Sequence, residues 1–219
     1  MDATRRQRTL RAVALLGIGV GGALLVSGEP LRAARTGAFL SVVTVMAVWT
    51  IAENLALQQD EPKSYRGKVQ TRLMQAAVMI GIYVGTFELL RTRGTLPREA
   101  SVALAGLALV AAGGALRVAS ILTLRRHFSY ELRVEAGHRL VSAGPYRLVR
   151  HPSYLGILLI AVGAPLALAS AWGMLAGGGA MIAVLVARIR EEEALLRDAF
   201  GAEYEAYSKR TWRILPPVW

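Results

Sequence analysis

The chain has no cysteine, only three histidines and only four phenylalanines among 219 residues. Without a thiol there is no disulfide, no thiolate zinc site and no cysteine nucleophile, and the redox compartment cannot be read from thiol usage. His127, His138 and His151 lack a compact metal-ligand spacing, so no metal site is expected. Acid is also scarce, with 15 Asp and Glu against 26 Lys and Arg and a formal charge of +11. The basic residues fall in short clusters between apolar stretches instead of on one folded face, which argues against nucleic acid and makes membrane lipids with anionic headgroups the counter-charge. Internal repeats and low-complexity linkers are missing, and one membrane domain over 1–219 is the simplest organisation.

What the chain has in plenty is apolar sequence. Hydrophobic residues make up 54% and glycine occurs 22 times, a balance that a water-soluble domain of this length does not keep. Runs of roughly 18 or more mainly apolar residues, the length that crosses a hydrocarbon core of about 30 Å, predict spanning helices at 10–26, 38–57, 73–90 and 100–124. A fifth run at 152–169 opens on Pro152, which suits the first turn of a helix. A sixth, 172–187, follows after only Ser170 and Ala171, a spacing that predicts a helical hairpin. The expected fold is therefore an all-α integral membrane protein with five to six transmembrane helices. The first run follows Arg5, Arg6, Arg8 and Arg11 like the core of a signal peptide, but Ser27, Gly28, Glu29 and Pro30 make a poor cleavage site, and the run is expected to be retained. The glycine-rich pieces 17–22, 113–114 and 177–179 are read as sites of close helix approach. The first of them follows no strand, so it is no dinucleotide fingerprint.

Orientation follows from the distribution of Lys and Arg, because positively charged loops stay cytoplasmic. With the amino terminus inside, twenty of them fall on inner segments, five on outer loops, and Arg117 within the fourth run. Both termini, and the polar segments 127–151 and 188–219, are thus expected on the cytoplasmic side. The tail carries Glu191, Glu192, Glu193, Leu195, Leu196, Phe200, Tyr204 and Tyr207 in an amphipathic helical pattern that Gly201 interrupts.

Against this background one segment stands out. GPYRLVRHPSYLG, residues 144–156, sets Tyr146, Arg147, Arg150, His151, Ser153 and Tyr154 directly against an apolar run. Taken singly, a basic loop beside a membrane binds lipid phosphate or fixes topology, and an acidic first turn complements a helix dipole. Arg188, however, stands three and four residues before Glu191 and Glu192 and shares a helix face with them. An antiparallel hairpin returns that face to the start of the preceding helix, next to His151 and Tyr154. Such a site offers a cation for an anion, a carboxylate for an ammonium group, and aromatic and imidazole edges for a planar ring. S-adenosylmethionine presents all of these.

The segments His138-Arg139-Leu140-Val141, Gly144-Pro145-Tyr146 and Arg150 to Gly156, followed by Arg188, Glu191 to Glu193, Phe200-Gly201, Tyr204, Tyr207 and Arg210, resemble the isoprenylcysteine carboxyl methyltransferase family. The resemblance covers roughly 125–217. It implies a methyltransferase core over 98–219, with 1–97 contributing spans that carry no recognisable motif. It further implies methyl transfer from S-adenosylmethionine to a carboxylate of a lipophilic, prenylcysteine-like substrate drawn from the bilayer, in a cytoplasmic cofactor pocket that the tail helix closes. By position, the cofactor-contacting residues would be Arg133, His138, Arg139, Leu140, Val141, Tyr146, His151, Pro152, Ser153, Tyr154 and Glu192. Arg188 would hold the substrate carboxylate and be the catalytic residue. Another lipid or a small thiol remains open as acceptor. A membrane lipid reductase would need nicotinamide phosphate contacts instead, and a transporter would show repeated halves and broken helices.

Three charged residues within apolar runs complete the inventory: Glu53, Glu88 and Arg117. Such charges are functional candidates by default. Glu53 and Glu88 are expected near the two interfaces, and Arg117 either snorkels or reaches a substrate tunnel.

Overall fold

The computed structural model describes residues 14, 17, 20–25, 28, 36–57, 68–92, 94–130 and 140–217. Its helices are α1 (Gly37–Ala56), α2 (Lys68–Arg91), α3 (Ala100–Leu124), α4 (Pro152–Ala167), α5 (Ala171–Phe200) and α6 (Ala202–Lys209). Residues 20–25 are helical too; the rest of the run expected at 10–26 falls largely outside the described residues. Single 3-10 turns at Arg125–His127 and Gly144–Arg147 shape the segment between α3 and α4. Among the described residues, α1, α2, α3 and α5 are long and apolar enough to cross a membrane, whereas α4 is a shorter apolar helix of 16 residues.

α4 is the centre of the bundle. It packs chiefly on α3 and α5, also on α2, and touches α1, while α1 leans on α3 and α2 on α5. Ile160, Ala161, Ala164 and Ala167 are almost wholly buried there. Between lipid-embedded helices there is little hydrophobic drive to association, so close packing through small residues must supply it. Two antiparallel glycine pairs do so. A Cβ on Gly113 would stand 2.4 Å from the Gly156 carbonyl oxygen, and one on Gly106 would stand 2.7 Å from the Gly163 carbonyl oxygen. On the other side of the bundle Gly177 of α5 sits against the backbone of Gly81 in α2, where a Cβ would meet Gly81 Cα at 2.8 Å.

The turn between α4 and α5 is held by polar groups. Ser170 Oγ accepts from the Gly173 N–H at 2.8 Å and donates to the buried carboxylate of Glu88. The Ala169 carbonyl takes the N–H groups of Thr95 and Leu96. Glu88 is therefore a structural acceptor for the turn.

α5 differs from the helix expected at 172–187. It runs unbroken for 30 residues to Phe200, so Glu191, Glu192 and Glu193 lie inside it and are not the acidic first turn of a separate helix. Arg, Glu, Ala and Leu are good helix formers, and Glu193 with Arg197 adds an i,i+4 pair at 3.0 Å. The chain breaks only at Gly201, whose φ of 51° suits glycine.

Gly156→Val is expected to cost about 1–3 kcal/mol by overpacking, read as a lower melting temperature and less monodisperse protein in detergent. Gly179→Ala, where a Cβ meets nothing within 4 Å, is expected to melt at or above the wild-type temperature.

Candidate active site

α4 and α5 bring their polar ends together. Tyr154, in the first turn of α4, accepts a hydrogen bond from Arg188 Nε at 2.6 Å and donates to Glu192 Oε2 at 2.5 Å. The Arg188 guanidinium also lies 5.6 Å from the Tyr154 ring centroid, so the tyrosine is held through both its face and its hydroxyl. The His151 ring stacks on that of Tyr154, with centroids 5.4 Å apart and planes 12° apart. His151 Nδ1 lies 3.9 Å from Glu192 Oε2. Four of the expected site residues thus form one cluster.

Arg188 is buried and engaged by parts of the chain that sequence reasoning did not assign to the site. Its Nη1 donates to Thr71 Oγ1 of α2 at 3.2 Å and its Nη2 to the Tyr130 carbonyl. Thr71 in turn donates to that same carbonyl at 3.0 Å, and Gln70 Nε2 donates to Glu191 Oε2 at 3.0 Å. The start of α2 is therefore a wall of the site. Nothing in its sequence, a Gln-Thr pair entering an apolar run, marks it in advance.

Glu193, which the sequence motif includes without a role of its own, is 1% exposed. Its carboxylate takes Arg150 Nε at 3.1 Å, Arg197 Nη2 at 3.0 Å and Arg213 Nη2 at 3.1 Å. His151 Nε2 stands 3.4 Å from it without the alignment of a hydrogen bond, and this buried nitrogen has no hydrogen-bond partner among the described residues. The same region clasps the tail. Val149 and Trp212 form a parallel bridge, Arg150 N donates to Trp212 O at 2.7 Å, and His151 N donates to Arg213 O at 3.0 Å. Arg150 Nη1 reaches the carbonyls of Ser208 and Thr211, and Tyr207 Oη donates to the Tyr146 carbonyl at 2.8 Å. Burial, reinforced by the Glu192 carboxylate, pushes the Tyr146 hydroxyl far above its ordinary range, and burial lifts that of Tyr207 to about 12. Both phenols keep their protons at neutral pH, so the bond from Tyr207 on the tail to the Tyr146 carbonyl persists.

The remaining expected residues divide. Ser153 lies beside the cluster but is held by Arg117, and Pro152 is buried at the first position of α4. Leu140 and Val141 are half-buried in the segment before Gly144. Arg133, His138 and Arg139 lie outside the described residues. Arg117 does not snorkel: it is buried against Glu53, with Arg117 Nε to Glu53 Oε2 at 3.0 Å, because neither charge is tolerable alone in apolar surroundings.

Together the fold and the cluster define a helical membrane protein with a polar centre at one end of its bundle. Residues 105–198 match the model of the isoprenylcysteine carboxyl methyltransferase family, so the resemblance seen in the sequence holds over the stretch that carries Tyr154, Arg188 and Glu192. A probable protein-S-isoprenylcysteine O-methyltransferase of Oryza sativa is 36% identical over 117 residues, 52% of this chain and 61% of the relative. The protein-S-isoprenylcysteine O-methyltransferase of Homo sapiens is 33% identical over 113 residues, 51% of this chain and 40% of the relative. The match thus spans about half the length of these relatives. The fold is similar to that of a solved eukaryotic intramembrane Ras methyltransferase, with a TM-score of 0.65 at 21% identity over 94% of this chain and 77% of that one.

Glu193→Gln is expected to destabilise the protein by about 2–3 kcal/mol, since Arg150 loses its buried counter-charge. The change should appear as an earlier melt and as faster proteolysis of 210–217 in a folded sample.

Proposed function

We propose that the protein transfers a methyl group from S-adenosylmethionine to the carboxylate of a lipophilic, prenylcysteine-like acceptor. The observation that carries this reading is the Tyr154 bridge between Arg188 and Glu192, inside the residues that match the methyltransferase family. In this reading the whole chain works as a single membrane domain with 98–219 as its core. α4 and the helical stretch around 20–25 also lie in the bilayer, giving up to six spans, and the site faces the cytoplasm together with both termini.

The side chains suit a sulfonium-bearing amino acid. Glu192 is a carboxylate about a third exposed, set to meet an ammonium group, and buried His151 Nε2 has no hydrogen-bond partner among the described residues. Glu192, Tyr154, His151, Pro152, Ser153, Tyr146, Leu140 and Val141 would hold the cofactor, with Arg133, His138 and Arg139 contributing from the neighbouring segment. S-adenosylmethionine supplies, when bound, an electrophilic methyl group on a sulfonium. The acceptor carboxylate is already ionised at neutral pH, so no general base is required of the protein. What the chain must supply is alignment and the exclusion of water. Arg188 has the forked donors that orient a carboxylate. For it to do so, the Nη1 contact to Thr71 gives way to the acceptor, while Tyr154 keeps Nε in place and the Tyr130 carbonyl keeps Nη2 in place.

Labelled S-adenosylmethionine in detergent, offered a prenylated cysteine, a fatty acid, a phosphatidylethanolamine and a small thiol, tests the assignment. Label is expected on the prenylated cysteine, and transfer to none of the four, with no donor binding, overturns the reading. Arg188→Ala is expected to lower turnover roughly a hundredfold or more with donor binding retained. Glu192→Ala is expected to weaken donor binding on the order of ten- to a hundredfold, the loss of one charge-assisted hydrogen bond. The opposite pattern, measured by calorimetry beside initial rates, overturns these roles.

A further inference from the structure

Glu53 lies on α1, outside the residues that match the methyltransferase family, and Arg117 lies on α3. Their side chains are 6% and 5% exposed. Arg117 Nε donates to Glu53 Oε2 at 3.0 Å and Nη2 to Oε1 at 2.5 Å, a two-pronged pair with the Trp49 ring centroid 5.9 Å from the guanidinium. Pairing alone accounts for the survival of two charges among apolar helices. It does not account for the rest of their contacts.

Arg117 Nη1 donates to the carbonyl of Ser153 at 3.3 Å and to its hydroxyl at 3.1 Å, one residue before Tyr154. Glu53 Oε1 accepts the Tyr130 hydroxyl at 2.8 Å, and the Tyr130 carbonyl accepts Arg188 Nη2. Two short routes therefore leave one ion pair, through Ser153 to Tyr154 and through Tyr130 to Arg188. They end on the two side chains that share the hydrogen bond at the heart of the site.

We infer that Glu53 and Arg117 are a positioning pair for the Tyr154–Arg188 site: without touching reacting groups, they set the first turn of α4 and the Tyr130 carbonyl against Arg188. The role of the pair in turnover rests on the methyltransferase reading above. Its mechanical content, that Glu53 acts on Arg188 through Tyr130, does not.

Replacing a buried ion pair by apolar side chains of similar volume is often neutral or stabilising. The double variant E53L/R117M is therefore expected to melt within a few degrees of wild type while its kcat for the prenylated cysteine falls on the order of tenfold or more. Tyr130→Phe removes only the oxygen that meets Glu53. It is expected to raise KM for the acceptor roughly tenfold, about 1.4 kcal/mol, and to leave donor affinity unchanged. Wild-type kcat and KM in folded E53L/R117M overturn the inference, and should that variant not fold, wild-type KM in Tyr130→Phe overturns it. A wild-type protein that transfers no methyl group overturns the functional reading separately. The pair is then decided by a double-mutant cycle of Tyr130→Phe and Arg188→Lys in melting temperature, where coupling supports it and additivity overturns it.

Discussion

The first turn of α4 begins an apolar helix in surroundings that accept charge only when it is neutralised from close range. Arg150 approaches it from the preceding segment and meets Glu193; Arg117 approaches from α3 and meets Glu53. Desolvating any one of these groups alone costs several kcal/mol. Glu193 belongs to α5 and Glu53 to α1, so both helices must arrive at this level for the charges to be tolerated. Packing of the bundle and assembly of the site are one requirement. The tail is drawn into it as well, since Arg213 shares the Glu193 carboxylate and the backbone of 212–213 takes the N–H groups of Arg150 and His151.

The unequal lengths of α4 and α5 explain where this happens. With 16 residues, α4 rises about 24 Å, short of a hydrocarbon core of about 30 Å. With 30 residues, α5 rises about 45 Å. Measured from their shared turn, the start of α4 and Arg188 stand at nearly the same height. α5 then continues past α4, and the residues it carries there, Glu192 and Glu193, close over the segment 150–154 instead of reaching away from the bundle. A longer α4 would push His151 and Tyr154 out of reach of the carboxylates that organise them.

Much of this was legible in composition and order. The apolar runs located the helices, and the placement of Tyr154 and His151 beside Arg188 and Glu192 follows from two adjacent runs of similar length joined by a short turn. The glycine readings hold at Gly113, Gly114 and Gly177, while Gly17, Gly21 and Gly179 face open space, and it is Gly106, Gly113, Gly156 and Gly163 that meet across α3 and α4. What was not legible were pairings between elements far apart in the chain. Glu53 and Arg117 are separated by 64 positions, Arg188 and Thr71 by 117. Spacing along one helix carries no information about which charge on another will face it, so the sequence pairs neither Glu53 with Arg117 nor Glu193 with its three arginines.

These long-range pairings bear on what the family-like stretch can do by itself. Residues 105–198 hold Tyr154, Arg188, Glu192 and Glu193 together with Tyr130, Arg150 and Arg197, yet further partners that brace this site come from outside the stretch. Thr71 and Gln70 enter from α2, Glu53 from α1, and Tyr207 and Arg213 from the tail. Cut from those partners, Arg117 would be a buried guanidinium without its carboxylate, and Glu193 would lose one of its three cations. A site built this way takes its charged and aromatic side chains from the family-like stretch and part of its bracing from the rest of the chain. Glu53 is the clearest case: it lies on α1, outside the matched segment, yet through Tyr130 it is two contacts away from Arg188.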